Sequence, residues 1–238
     1  MNRWLLIHGL PTGGSFWSRL TLPGHVHAPD LPGFGRSRDQ PVPTAVDGFL
    51  PPLRALAGPD VIVVGVDFGG VLAAALAAEG NAGGLVLMST ALGAAWLPSR
   101  WASRWPLSGP AYRWSAGQRF LRSADPGLAG AFLPDHGLPD RMVRVARALR
   151  IRQLHAMRPQ VRTPTLCLWG EDDPFLPAPL GARLARQLGA DWQALPGRHA
   201  LAWTHPGEVS AVLMAWAARR CAASPPGASD APAATGRP

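Results

Sequence analysis

Six short apolar runs recur along the chain: RWLLIHG (3–9), HVHAP (25–29), DVIVVGV (60–66), GLVLMS (84–89), PTLCLWG (164–170) and DWQALPG (191–197). Each has the length and the flanking turn residues of a strand. Segments of helical character lie between them. VLAAALAAEG (71–80) has helix-forming composition and ends at glycine, and PLGARLARQLG (179–189) sets Leu180, Leu184 and Leu188 on one face. Strands that alternate with helices in this way predict a parallel α/β sheet with crossover helices.

The rhythm breaks over 91–160, which holds Trp96, Trp101, Trp105 and Trp114, several prolines and the amphipathic stretch DRMVRVARALRIRQLHAMR (140–158). This interval reads as a helical cap inserted between two strands, dividing the core into residues 1–90 and 161–221. Residues 222–238 are small, polar and proline-rich, so they cannot offset the entropy of ordering and are expected to form a disordered tail. A chain of 238 residues, 47% of them hydrophobic, is enough for one domain with a real core.

Charge is distributed unevenly. All 23 basic residues are arginine and the formal net charge is +8. The expected cap carries the whole excess: eleven arginines there meet only Asp125, Asp135 and Asp140, while the other twelve are matched by twelve acids. No nucleic-acid motif accompanies the excess, so a solvated arginine face is the plain reading and attraction of an anionic substrate the functional one. No nucleic-acid partner is expected.

The opening MNRWLLIHGL lacks the features of a secretory signal, and a cytoplasmic location is expected. The longest charge-free stretch, 80–99, is rich in glycine and broken by Asn81 and Pro98, so it reads as strand plus loop and no membrane span is expected. Cys167 and Cys221 have no metal spacing and are expected as thiols without a bridge.

The candidate chemistry begins where VIVVGVDFGG (61–70) runs a strand into Asp67, flanked by Gly65 and Gly69. A G-x-D-x-G turn between strand and helix is the setting of a nucleophile elbow, a tight, strained turn that lifts its central side chain above the sheet. The pentapeptide alone fits an ordinary polar turn equally well. Other segments favour the elbow. HGLPTGGSFW (8–17) leaves the first strand and offers the Leu10 N–H as an oxyanion donor beside that of Phe68, and APDLPGFGRS (28–37) leaves the second. WGEDDPFLP (169–177) carries a carboxylate off a late strand, and PGRHALAWTHP (196–206) carries His199 off the last one. Nucleophile, acid, histidine is the chain order of the α/β-hydrolase fold.

On these residues the chain resembles the α/β-hydrolase superfamily across most of 3–220, and HGLPTGGSFW and GVDFGG are most similar to haloalkane dehalogenases and epoxide hydrolases, whose elbows carry aspartate instead of serine. The resemblance implies an α/β-hydrolase fold with an inserted cap. It implies about six strands here, because only two residues precede the first apolar run, so that the usual two leading strands are missing or the start codon lies upstream. It makes Asp67 the nucleophile, His199 the water-activating base, and Asp173 the acid that orients His199, as the fourth residue of G-x-x-D. Asp172 is the rival acid, separated from Asp173 only by register.

The chain also departs from these families. Phe68 stands where haloalkane dehalogenases usually carry tryptophan, Leu10 where asparagine is common in that family, and Tyr112 is the single tyrosine where epoxide hydrolases use cap tyrosines. One cap indole N–H could replace the halide donor, although packing is the commoner role of such tryptophans.

Aspartate restricts the chemistry. At its ordinary pKa of about 3.9 it is roughly 99.9% ionised at pH 7 and needs no base for a first attack. Attack on an ester would give a reactive mixed anhydride, whereas attack on an sp³ carbon bearing a halide or epoxide oxygen gives a plain alkyl ester. His199 would then direct water at that ester. The expected partner is therefore a small-molecule substrate. The rivals are a non-covalent acid-base catalyst such as a lyase, with Asp67 as base, and a ligand-binding member without chemistry. No cofactor or metal is expected: PGFGRS does not match a phosphate-cradling glycine pattern, and His8, His25, His27 and His205 form no metal-spaced cluster and are assigned structural roles.

Overall fold

The computed structural model describes residues 2–90 and 160–223, together with positions 92, 125, 127, 128, 141, 144 and 145. The division into core and cap therefore rests on the sequence, since most of 91–160 lies outside the described residues.

Six strands form one sheet: β1 (Arg3–Ile7), β2 (His25–His27), β3 (Gly58–Val66), β4 (Ala82–Met88), β5 (Thr165–Gly170) and β6 (Asp191–Leu195). Their order is β2-β1-β3-β4-β5-β6, and every pairing is parallel. Each apolar run of the sequence supplies one strand. The helices are α1 (Leu50–Arg54), α2 (Phe68–Ala78), α3 (Ala178–Leu188), α4 (Leu201–Thr204) and α5 (Pro206–Ala223). Among the described residues no helix is long and apolar enough to cross a membrane.

Alternation along the strands divides the core into two layers. Leu5, Ile7, Val61, Val63, Leu85, Leu87, Cys167 and Trp169 face one side, where α1, α2 and α3 pack. Trp4, Leu6, Ile62, Val64, Val86, Met88, Leu166 and Leu168 face the other, against Val209, Leu213 and Trp216 of α5. In β1, β3, β4 and β5, where both faces are covered, the strands read as largely continuous apolar runs, whereas the edge strands β2 and β6 are exposed or half-buried. Each aliphatic side chain fully buried in these layers contributes about 1.5–3 kcal/mol. Of the expected cap residues, Leu92 and Val145 join the first layer and Leu128 the second.

Some elements differ from the sequence reading. The helix expected over 71–80 begins at Phe68, directly after Asp67, because the glycine pair continues into the first turn instead of preceding it. In α3, Leu184 is buried while Leu180 and Leu188 are half-buried, and the helix closes on Gly189 with a left-handed φ of 62°. The last helix runs to Ala223, two residues into the expected tail, whose remainder lies outside the described residues.

Candidate active site

Parallel pairing places the carboxyl ends of all six strands at one edge, and the candidate residues leave from there. Asp67 follows β3 with φ 51° and ψ −116°. Non-glycine residues rarely adopt such a conformation, which costs on the order of 1–3 kcal/mol. The neighbouring glycines permit it. A Cβ on Gly65 would run into the Gly69 carbonyl, and one on Gly69 into the carbonyls of Ile7 and His8. The Asp67 N–H donates to Met88 O at 3.1 Å, and Thr90 Oγ1 donates to Asp67 O at 2.9 Å, so the turn is anchored to the end of β4.

Leu10, 57 residues away in sequence, donates its N–H to Asp67 Oδ2 at 3.0 Å. The Phe68 N–H bonds to the same carboxylate. Close approach of the β1 loop requires Gly9, where a Cβ would lie 2.7 Å from Asp67 Cβ. His8 underpins this loop. Leu31 N–H donates to His8 Nε2 at 3.0 Å, so the ring proton sits on Nδ1 and is donated to Gly9 O at 2.9 Å. Burial pushes the His8 pKa down to about 4, against the opposing effects of the Gly9 bond and the Asp30 charge. The structural role expected for His8 is thus specific: a buried neutral link between two loops.

Asp173 and His199 meet at the other side of the site. His199 Nδ1 lies 2.8 Å from Asp173 Oδ2, while Asp173 Oδ1 accepts the N–H groups of Phe175 and Leu176, each at 2.9 Å. The acid loop is tied back by Trp169 Nε1, which donates to Leu176 O at 2.7 Å. Asp173 is buried and Asp172 exposed, which separates the two neighbours that register alone distinguished. The Phe175 ring stands edge-on to His199 with centroids 5.3 Å apart.

The three titrating groups shift one another. At Asp67, which keeps partial solvent contact but is densely surrounded by protein, burial raises the pKa, and the His199 charge and the Leu10 and Phe68 N–H groups offset this only in part. The ordinary aspartate value therefore does not hold here. At His199 burial works against the imidazolium, but the Asp173 hydrogen bond and the charges of Asp173 and Asp67 outweigh it and raise the pKa. At Asp173 burial is outweighed by the His199 bond and charge and the two backbone donors, and the pKa falls. Asp67, His199 and Asp173 are thus electrostatically coupled, with the imidazolium favoured between two carboxylates.

Two residues of this site were not singled out from the sequence. Thr12 Oγ1 donates to Gly9 O at 2.9 Å, and Thr90 reaches Asp67 from the adjoining strand. Thr12 lies inside a recognisable motif, but Thr90 has no local signal, because its partner is 23 residues earlier. Among the described residues no group of His, Cys, Asp and Glu side chains is arranged to hold a metal ion. Cys167 is a buried thiol whose pKa is pushed up to about 12 by burial, and the side chain of Cys221 lies outside what is described.

This fold is that of a known family. The sequence matches the alpha/beta hydrolase family over residues 4–212, and the chain belongs to that family. Comparison with curated protein sequences gives no match. Solved structures are similar in fold. A loop variant of a haloalkane dehalogenase from Bradyrhizobium elkanii superposes with a TM-score of 0.75 at 22% identity, covering 93% of this chain and 91% of the other. A thermophilic esterase from Thermogutta terrifontis, determined with malate bound, gives 0.72 at 22% identity over 92% and 90%. An enol-lactonase from Burkholderia xenovorans gives 0.72 at 19% identity over 92% of both chains.

Proposed function

We propose that this protein hydrolyses a carbon–halogen or epoxide carbon–oxygen bond through a covalent alkyl ester on Asp67. The observation that carries the reading is the 3.0 Å bond from Leu10 N–H to Asp67 Oδ2. With a serine nucleophile, such donors would stand open for the carbonyl oxygen of an ester substrate. Here they hold an oxygen of the nucleophile itself, which favours attack on saturated carbon over attack on a carbonyl. The dehalogenase among the similar structures agrees with this reading, and the esterase and lactonase mark the competing chemistry.

In the proposed reaction Asp67 Oδ1 forms a bond to the substrate carbon as the carbon–leaving group bond breaks, and the leaving group departs with the electron pair. The product is an ester whose carbonyl oxygen, Oδ2, already accepts the Leu10 N–H. His199 takes a proton from water, and the hydroxide attacks Cγ of Asp67. The resulting oxyanion is held by Leu10 and Phe68. Collapse returns the proton from His199 to the departing alcohol and leaves Asp67 as the acid with one oxygen from water, which releases its remaining proton to solvent and regenerates the carboxylate. Asp173 holds His199 in orientation and supports its positive charge.

The raised His199 pKa gives the sequence of steps a switch. Before alkylation the charges of Asp173 and Asp67 favour the imidazolium, the form that cannot act as base. Ester formation removes the Asp67 charge and lets His199 release its proton.

The raised Asp67 pKa favours one rival, in which Asp67 is a proton acceptor and water or another group reacts directly. His199→Ala separates the two. It should leave alkylation intact and block hydrolysis, so intact-protein mass spectrometry after exposure to a haloalkane or epoxide turned over by the wild type should find a stable substrate-sized adduct on the Asp67 peptide. No adduct with such a substrate would exclude the covalent route.

A further inference from the structure

The two N–H groups that meet the Asp67 carboxylate belong to peptide units whose carbonyl oxygens are themselves hydrogen-bonded. Leu10 N–H shares its amide with Gly9 C=O, which accepts from Thr12 N–H at 3.1 Å, Thr12 Oγ1 at 2.9 Å and His8 Nδ1 at 2.9 Å. Phe68 N–H shares its amide with Asp67 C=O, which accepts from Thr90 Oγ1 at 2.9 Å. A buried threonine hydroxyl therefore stands behind each donor.

An amide whose oxygen accepts a hydrogen bond is polarised toward its N–H, and in a chain of bonds each strengthens the next by roughly 10–30%. The same bonds fix the direction of the N–H, which matters because the position of Asp67 is strained and the Leu10 loop has no strand partner at that point. We propose that Thr12 and Thr90 are paired positioning residues, which strengthen and aim the two backbone donors at the Asp67 carboxylate and, through them, hold the oxyanion of the hydrolytic step. The effect on Asp67 in the unreacted protein follows from the hydrogen bonds alone, while the effect on the oxyanion rests on the alkyl-aspartate reading.

The test uses Thr12→Val and Thr90→Val, which replace each hydroxyl by a methyl of similar size, and Thr12→Ser and Thr90→Ser, which retain it. In the unreacted protein, carboxyl ¹³C NMR should find Asp67 titrating at higher pH in each valine variant and at the wild-type position in each serine variant. In single turnover of a haloalkane or epoxide, adduct decay should slow about two- to sevenfold in each valine variant, with adduct formation changing less and serine restoring the rate. If a valine variant does not fold by circular dichroism, the alanine variant takes its place with the same expectation. Wild-type titration of Asp67 in folded valine or alanine variants would overturn the proposal, as would equal displacement in the valine and serine variants. If His199→Ala forms no adduct with a substrate the wild type turns over, the alkyl-aspartate reading fails while the titration still decides the role of the threonines.

Discussion

The substitution His8→Asn should remove a defined part of the pH dependence of stability. His8 is fully buried and neutral, accepting from Leu31 through Nε2 and donating to Gly9 through Nδ1. Protonation would put a hydrogen on Nε2, facing the Leu31 N–H. The folded-state pKa is about 4 against an ordinary value of 6.5. Between those values the folded protein binds fewer protons than the unfolded chain, so the contribution of His8 is fully present above pH 6.5 and is lost as pH falls toward 4. At about 1.36 kcal/mol for each pH unit separating the two pKa values, the loss amounts to roughly 3 kcal/mol. Asparagine retains a donor and an acceptor but does not titrate. At pH 7 it should cost about 1–3 kcal/mol through imperfect hydrogen bonds. The measurement is urea unfolding of both proteins at intervals from pH 7 to pH 4. Asp67, Asp173 and His199 titrate in both proteins, so they largely cancel in the difference. The stability advantage of the wild type should shrink by roughly 3 kcal/mol across that range. An advantage that stays constant with pH would refute the assignment of His8 as a buried neutral link.

Three further outcomes are expected. Asp173→Asn should lower the hydrolytic rate by about 10²–10⁴-fold, because an amide cannot accept from His199 and from both backbone donors while supporting the imidazolium; Asp172→Asn, at an exposed position, should leave turnover near wild type, and equal losses would reverse the assignment. Gly9→Ala should depress adduct hydrolysis by at least about tenfold, because the new Cβ would lie 2.7 Å from Asp67 Cβ and 3.1 Å from Oδ2, displacing the Leu10 donor; a wild-type decay rate would contradict that geometry. NMR titration of His199 before and after alkylation of Asp67, with Asp173→Asn used to slow adduct decay, should find a lower pKa in the adduct, since one of the two charges that raise it has gone. Equal values in the two states would remove the proposed switch.

The sequence by itself determined the strands, because short apolar runs bounded by glycine and proline depend on local composition, and burial of both sheet faces makes the runs of the central strands continuous. It also determined the elbow, since the need for Gly65 and Gly69 around Asp67 is written within five residues. His199 and the Asp172–Asp173 pair were visible as polar residues leaving late strands. Tertiary structure alone decided what these groups do to one another. Strand order brings Leu10 to Asp67 across 57 positions and Thr90 across 23, and no local pattern encodes either contact. The exposure of one aspartate and the burial of its neighbour follow from the way the loop after β5 folds under Trp169 and over His199. The raised pKa of Asp67 and the lowered one of His8 likewise come from burial, and the raised one of His199 from the hydrogen bond and charge of Asp173 and the charge of Asp67, which outweigh burial. Residue type fixes which groups can ionise, but desolvation and non-local partners set the pKa at which each of them does.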